Sequence, residues 1–477
     1  MTSLTTTKRW TLAVVCAATA MLMLDIAVVN TALSRIAEDL DTGLSGLQWV
    51  VDAYTLALAS VVLTAGALAD RLGRRRLFTI GLVVFTLASA ACAAAGDIVF
   101  LDVARAIQGL GGAIMFAVSL AILADAFPDP RERAGALAAY GATIGGTFAI
   151  GPLVGGALTS GLDWQWIFLI NIPLGAACLW ITRTYVRESR DPATPPVDWP
   201  GQAALIGGLF LLVLALLRGN DAGWGSAQII AELAGAVALL GVFLAIERRS
   251  AHPMLPLRLF RIPSFTGAQI AAFGISGSFF AVFLYMTLYL QQVLGLSAIE
   301  AGLAYVPTTV VIFIVSGATS QLGERFSPRT MIAVGLGLVA VGMALMTLAE
   351  ADSSWTALLP GMLLAGVGTG LFNPSVIAVA LGSVPVEQSG LAAGVNDTFR
   401  QAGVAVGVAA LGALVPAGSA LGGGSPQEYV DGLHHALFAG AGLAAVAAVA
   451  AGVLIGRKGA QHELVELPAD AALAEAG

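Results

Sequence analysis

Two residues in this chain carry a charge that conflicts with their surroundings. Asp25 lies within the apolar stretch 10–33, and Arg105 within the apolar stretch 98–123. A charge inside an apolar helix is costly and usually marks the path of an ion or a substrate. Asp25 falls about 12 Å before the end of its stretch at Leu33, and Arg105 roughly 10 Å after the start of its own near Ile98. If the first stretch ends on the face where the fourth begins, the two depths agree. A carboxylate facing an arginine stays ionised, while desolvation favours its neutral form. An acid balanced between these effects can gain and lose a proton as its access to water changes. Arg105 also has a competing partner in Asp102, at i and i+3 of the same helix. That pairing would leave Asp25 as a polar liner.

The elements that must hold these residues are apolar throughout. Of the 477 residues, 57% are hydrophobic and 11% are charged, where a soluble domain carries about 25% charged residues. Such a chain faces hydrocarbon over most of its surface. Stretches able to cross a bilayer as helices occur near 10–33, 48–68, 77–96, 98–123, 135–158, 165–186, 201–218 and 226–246. Six more occur near 265–292, 300–320, 330–349, 355–380, 391–415 and 434–456, giving fourteen. The first is longer than the core of a secretory signal and is read as a retained helix. With a cytoplasmic N-terminus, 20 of the 23 Lys and Arg fall on or beside the cytoplasmic side, as insertion requires. Only Arg35 and Arg218 then lie outside, with Arg105 within a span. Both termini are expected in the cytoplasm.

The composition also excludes function classes. The net charge of −7 comes largely from loops and from the tail 458–477, and no basic patch suited to nucleic acid occurs. Cys16, Cys92 and Cys178 sit in apolar runs at spacings that fit neither disulfides nor a metal site. No ATP-binding loop, nucleophile elbow or metal cluster is found, so no catalytic residue, metal or cofactor is expected. His434 and His435 are read as interfacial.

Motifs recur at a near-constant distance. Pro130-x-Glu132-x-x-Gly135 returns as Pro385-x-Glu387-x-x-Gly390, offset 255, and Gly109-x-Gly111 as Gly366-x-Gly368, offset 257. Gly46-Leu47-x-Trp49-Val50 returns as Gly302-Leu303-x-Tyr305-Val306, offset 256, and Arg71–Arg75 is echoed by Arg325–Arg329. Six helices occupy about 190 residues (20 apolar residues each, plus loops), so the offset leaves room for two more. The expected fold is an all-α membrane protein of fourteen transmembrane helices. Its parts are a six-helix bundle (1–190), inserted helices 7 and 8 (191–250), a second six-helix bundle (251–457) and the tail. Parallel repeats of this kind are a transporter architecture, with the site between the halves. Phe280 stands near the place of Asp25 in the second half and Met362 near that of Arg105, which confines charged coupling chemistry to the first half.

Four motifs together resemble the major facilitator superfamily, in its fourteen-span drug/proton antiporter branch. They are GALADRLGRRR from Gly66 to Arg76, Arg105-x-x-Gln108-Gly109-x-Gly111, Gly151-Pro152-x-x-Gly155-Gly156, and Leu24-Asp25-x-x-Val28-Val29-Asn30-x-Ala32-Leu33. The resemblance spans about residues 10–456. It implies export of amphipathic drugs or antibiotics in exchange for protons, from a bacterial plasma membrane, by a monomer. It also implies proton coupling at Asp25 and Arg105, and a conformational latch built from Gly66, Asp70, Arg71, Gly73 and Arg74. Asp70 is expected to pair across the turn after the second span or with a neighbouring helix end; topological anchoring is the plainer role of these arginines. Gly151, Pro152, Gly155 and Gly156 imply a bend and a bias to antiport.

A substrate cavity would draw on Asn30, Tyr54, Gln108, Tyr285, Tyr289, Tyr305 and Asn373, although aromatics at helical spacing also serve plain packing. Glu232 would assist proton passage, bind a cation, or simply lie shallow in water. Asp397 and Arg400, i and i+3, are expected to neutralise each other. The tenth span has Glu300 at its outer edge as its only acid, so neutral and anionic substrates are as compatible as cationic ones. The alternative function is a proton-coupled importer of a small metabolite.

Overall fold

The computed structural model describes residues 5–190, 197–385, 388–416 and 424–456. The tail 458–477 and Glu387 of the repeated motif lie outside these residues. Every regular element among the described residues is helical.

In chain order the helices are α1 (Thr6–Asp39), α2 (Leu44–Leu72), α3 (Arg74–Ala93), α4 (Ile98–Ala126) and α5 (Pro130–Gly161). Then come α6 (Trp166–Tyr185), α7 (Trp199–Ala222), α8 (Ala227–Arg249), α9 (Pro263–Val293) and α10 (Ala298–Leu322). The last four are α11 (Pro328–Met346), α12 (Leu359–Gly382), α13 (Ser389–Gly412) and α14 (Pro426–Leu454). Among the described residues, 12 are long and apolar enough to cross a membrane, or up to 13 if the two arms of α5 form one span. The remaining expected span, 391–415, corresponds to α13. It is 24 residues long, but Asn396, Asp397, Arg400 and Gln401 keep it below that apolar threshold.

Local sequence explains where these helices start and bend. Asp129 accepts from the N–H groups of Arg131 and Glu132 ahead of α5. Ser297 with Glu300, and Ser425 with Glu428, form reciprocal capping boxes at α10 and α14. Each cap satisfies amides that have no partner inside the helix. Pro152 interrupts the ladder of α5, and its arms Arg131–Thr147 and Ile150–Gly161 are bent by 44°. α9 contains two π turns, at Ser276–Phe280 and Tyr289–Val293.

The packing order repeats along the chain. In the first run α2 and α3 pack on α4, α1 on α5, and α3 on α6. Eight helices later α10 and α11 pack on α12, α9 on α13, and α11 on α14. The closest approaches repeat too. A Cβ added at Gly111 would stand 2.6 Å from Phe85 N in α3, and one at Gly335 in α11 would stand 2.6 Å from the Gly368 carbonyl. Glycine lets these backbones meet. Between the runs, α7 and α8 pair with each other, and α7 lies against α2 and α13. α2 along α13 and α5 along α10 join the two six-helix sets. The face carrying the start of α1 and the α2–α3 turn is called here the N-terminal face.

Candidate functional site

Five helices of the first set converge on one buried polar cluster. Asp25 from α1 is 1% exposed and Arg105 from α4 is 2% exposed. Arg105 Nη1 donates to Asp25 Oδ2 at 2.5 Å and to Gln108 Oε1 at 2.8 Å. Its Nε donates to the Val50 carbonyl of α2 at 3.0 Å. Asp25 Oδ1 accepts from Gln108 Nε2 at 2.7 Å and from Asn171 Nδ2 of α6 at 3.3 Å. Ser89 of α3 accepts from the same Asn171 amide at 3.0 Å and donates to the Phe168 carbonyl at 3.0 Å. The Tyr54 ring lies 4.3 Å from the guanidinium carbon and the Phe168 ring 5.7 Å. A Cβ at Gly109 would collide with the Tyr54 carbonyl. Glycine there lets α4 come close enough to α2 for Arg105 to reach Val50.

Of the two partners open to Arg105, the structure selects Asp25; Asp102 Oδ1 has no hydrogen-bond partner among the described residues. Such a pair is favourable only when intact, because either partner alone is an uncompensated buried charge. The intact pair ties α1 to α4. Asn171 and Ser89 were not among the residues expected from the sequence. The available signal was one asparagine in the apolar run of α6, next to the break at Ile170.

The candidate cavity residues do not form a single group. Tyr54 and Gln108 belong to the ion-pair cluster. Asn30 Nδ2 donates to the Ile26 carbonyl of its own helix at 3.3 Å. In the second set, Tyr285 accepts from Gln48 Nε2 at 2.8 Å and donates to the Val408 carbonyl. Tyr289 donates to the Glu350 carbonyl at 2.6 Å. Tyr305 shares a hydrogen bond with Thr287 at 3.0 Å and stacks on Phe283 at 4.3 Å. Asn373 is half-buried, and its Oδ1 has no partner among the described residues. Tyr305, Phe279, Phe283, Met286 and Met362 line a small apolar cleft of about 10 Å³. Met362, the counterpart of Arg105, therefore sits among apolar side chains.

Glu232 stands apart from all of these. It accepts from Gln228 at 3.0 Å and pairs with Arg218 at 3.4 Å, tying α8 to α7. Asp397 and Arg400 stay within electrostatic reach of each other, without a close ion pair among the described residues. Asp397 is hydrogen-bonded by Gln401, while Arg400 turns its guanidinium over the Phe280 ring of α9, 5.9 Å from the centroid. An aromatic face is a favourable seat for a cation.

At the α2–α3 turn, Asp70 pairs with Arg74 at 2.7 Å, i to i+4 across the turn. Gly73 adopts φ +112, a conformation that a Cβ disfavours. Glu188, beyond α6, accepts from the N–H of Arg75 at 3.0 Å and of Arg76 at 3.2 Å. It thus caps α3 from a distant segment, and the Ser189 carbonyl accepts from Arg74 N at 2.8 Å. Glu188 was also not foreseen; on the sequence it is one acid in a charged loop.

The α5 motif is wedged between the two sets. A Cβ at Gly155 would stand 2.8 Å from Val28 Cα in α1, and one at Gly156 would stand 2.8 Å from Ile299 Cα in α10. Nearby, Ile299 N donates to Ser160 Oγ at 3.0 Å, and Gln291 Nε2 donates to the Thr31 carbonyl at 2.9 Å. Toward the N-terminal face, a Cβ at Gly141 or Gly145 of α5, or at Gly317 of α10, would meet nothing within 4 Å.

Comparison with known proteins places these features in context. The family model described as Major Facilitator Superfamily matches residues 15–408 and 319–466. The multidrug resistance protein Stp of Mycobacterium tuberculosis is 37% identical over 400 residues, covering 83% of this chain and 74% of that one. The puromycin resistance protein pur8 of Streptomyces alboniger is 36% identical over 458 residues, covering 94% and 89%. A solved peptide transporter POT in complex with alafosfalin matches with a TM-score of 0.65 at 15% identity, covering 93% of this chain and 95% of that one.

Proposed function

The chain belongs to the Major Facilitator Superfamily, and on that premise we propose that it exports amphipathic drugs or antibiotics in exchange for protons. The observation that carries this reading is the buried Asp25–Arg105 pair, a titratable group inside the bundle of a transporter. The resistance proteins matched over most of the chain support export over import.

Fourteen spans fit the packing, because α13 runs beside α2 from Gly394 against Leu63 to Gly412 against Gln48. The repeated packing order supports two six-helix bundles, 1–190 and 251–457, around the inserted pair 191–250. The distribution of Lys and Arg supports a cytoplasmic N-terminal face in a bacterial plasma membrane. The α5 wedge then seals the outer side, while the space beside Gly141, Gly145 and Gly317 leaves a cytoplasmic approach for substrate. The apolar side chains around Tyr305 would suit an aromatic, amphipathic molecule once the two sets part and the cleft widens. A proton arriving at Asp25 weakens its hold on Arg105 and loosens α1 from α4. The Asp70–Arg74 turn and its Glu188 cap act as the latch that must re-form in each cycle.

One charge moving inward across 100 mV releases about 2.3 kcal/mol, enough to drive a modest substrate gradient. The test is a proton-flux assay with the purified chain in vesicles over a panel of puromycin, ethidium and tetracycline. Substrate-driven proton release is expected in the wild type and is lost in Asp25→Asn at equal expression. Equal flux in that variant removes Asp25 from the coupling path.

A further inference from the structure

Asp52 of α2 is 0% exposed, and neither oxygen of its carboxyl group has a hydrogen-bond partner among the described residues. It stands on a stripe at helical spacing, Gln48, Asp52, Thr55, Ala59 and Leu63. Both ends of that stripe touch α13. Gln48 lies against Gly412, and Leu63 Cδ2 would be 3.0 Å from a Cβ at Gly394. Asp52 therefore faces the seam between the two six-helix sets. One turn above it, toward the outer face, Gln48 and Tyr285 form the hydrogen-bonded bridge across that seam. Above the bridge a cleft of about 20 Å³, wide enough for a water and open at its mouth, is lined by Ser45, Gln48, Leu217, Asn220, Gly412 and Val415. The inserted helix α7 supplies one wall, fastened by Asn220 Nδ2 donating to the Ala413 carbonyl at 2.7 Å.

Among the described residues no cation pairs with this acid. The titratable group in electrostatic range from α9 is Tyr285. On α13, the residues met at this level are Val408 and Gly412, neither charged. α7 brings Asp221 to the mouth of the cleft. On α4, Arg105 is turned to Val50 and Asp25. A carboxylate with neither counter-charge nor hydrogen bond is the costliest species such a place can hold. The geometry points to Asp52 as a second proton-carrying site, loaded while the α2–α13 seam is closed and exchanging with water when it parts. The cleft walled by α7 is its route to the outer face. In the step, the carboxylic acid gives its proton to a water, the hydronium so formed leaves along the cleft, and further water entering the parted seam hydrates the carboxylate. This assigns the inserted pair a part in coupling. Its place in a transport cycle rests on the proton-driven reading above, whereas the protonation of Asp52 stands independently of it.

The experiment is infrared difference spectroscopy of the full chain in phosphatidylethanolamine–phosphatidylglycerol vesicles as the pH is raised. A buried carboxylic acid C=O band is expected to persist in Asp25→Asn and to vanish in Asp52→Asn; an unchanged band in Asp52→Asn overturns the proposal. If Asp52→Asn fails to fold, Asp52→Glu decides: its band must no longer shift when the aspartates carry ¹³C. Joining Leu63→Cys to Gly394→Cys by oxidation is expected to slow titration of the band at least tenfold, with recovery on reduction. An unaltered rate overturns the link to seam opening. A wild type that moves none of the panel would defeat the export reading and still leave the band to decide Asp52.

Discussion

At Asp25, Arg105, Gln108 and Asn171 the side chains are joined through shared hydrogen bonds, so the cluster behaves as a unit in which no single hydrogen bond has a separate value. Arg105→Met leaves a buried carboxylate uncompensated, and the expected loss of stability is about 3–5 kcal/mol. Asp25→Asn combined with Arg105→Met removes both charges and is expected to recover more than half of that loss. Denaturation midpoints of the four forms in detergent measure the coupling; simple additivity would mean that the two charges do not sense each other. The pair was legible in the sequence because a charge in an apolar run is rare and its depth can be counted along a helix. Ser89 and Asn171 were not legible, since small polar residues are common in these spans and their partners lie on helices remote in sequence. Asp52 escaped for another reason. It lies near the start of the expected second span, where an acid reads as interfacial, but α2 begins at Leu44 and places it two turns inside.

Among the helices, two junctions decide how the elements are held. Glu188 accepts from the free amides at the start of α3, so Glu188→Ala leaves that helix end uncapped at a cost of about 1 kcal/mol. Local opening at Arg74–Arg76 should rise about fivefold. Trypsin applied to the N-terminal face is expected to cleave there correspondingly faster, and an unchanged rate would show that the cap is dispensable. Gly73→Ala places a Cβ at φ +112, a strain of about 1–3 kcal/mol, and is expected to weaken the same turn even with Glu188 intact. The wedge of α5 offers the converse test. Gly156→Val would drive a side chain into the Ala298–Ile299 backbone. The outer seal is then expected to part, and a cysteine placed at Thr31 should react faster with a membrane-impermeant thiol reagent added outside. No change in that rate would show that α5 does not seal the sets. The bend in α5 was legible from its proline, whereas the π turns of α9 leave no mark in its hydrophobic pattern.

For the whole molecule, the open question is whether Ser389–Gly412 crosses the membrane. Its hydropathy argues against crossing, because Asn396, Asp397, Arg400 and Gln401 lie in its middle. Its packing argues for crossing, and packing is the stronger guide. In hydrocarbon a polar side chain is tolerated when it faces protein; Asn396 and Asp397 are 5% and 7% exposed, and Asn396 Nδ2 donates to Gln269 of α9 at 3.1 Å. A helix enclosed by α2, α9 and α7 meets little lipid, so a window that assumes lipid on all sides misjudges it. α2 passes the apolar test, and α13 lies antiparallel to it along most of its length. Two helices in contact at both ends must span the same depth. Cysteines placed at Gln388 and Ser425 are therefore expected on opposite faces, the first labelled together with one at Arg131 and the second with one at Asp163. Labelling of Gln388 and Ser425 from the same face would leave α13 as a re-entrant element. It would remove the pairing of six helices with six, and the seam on which Asp52 depends would be lost with it.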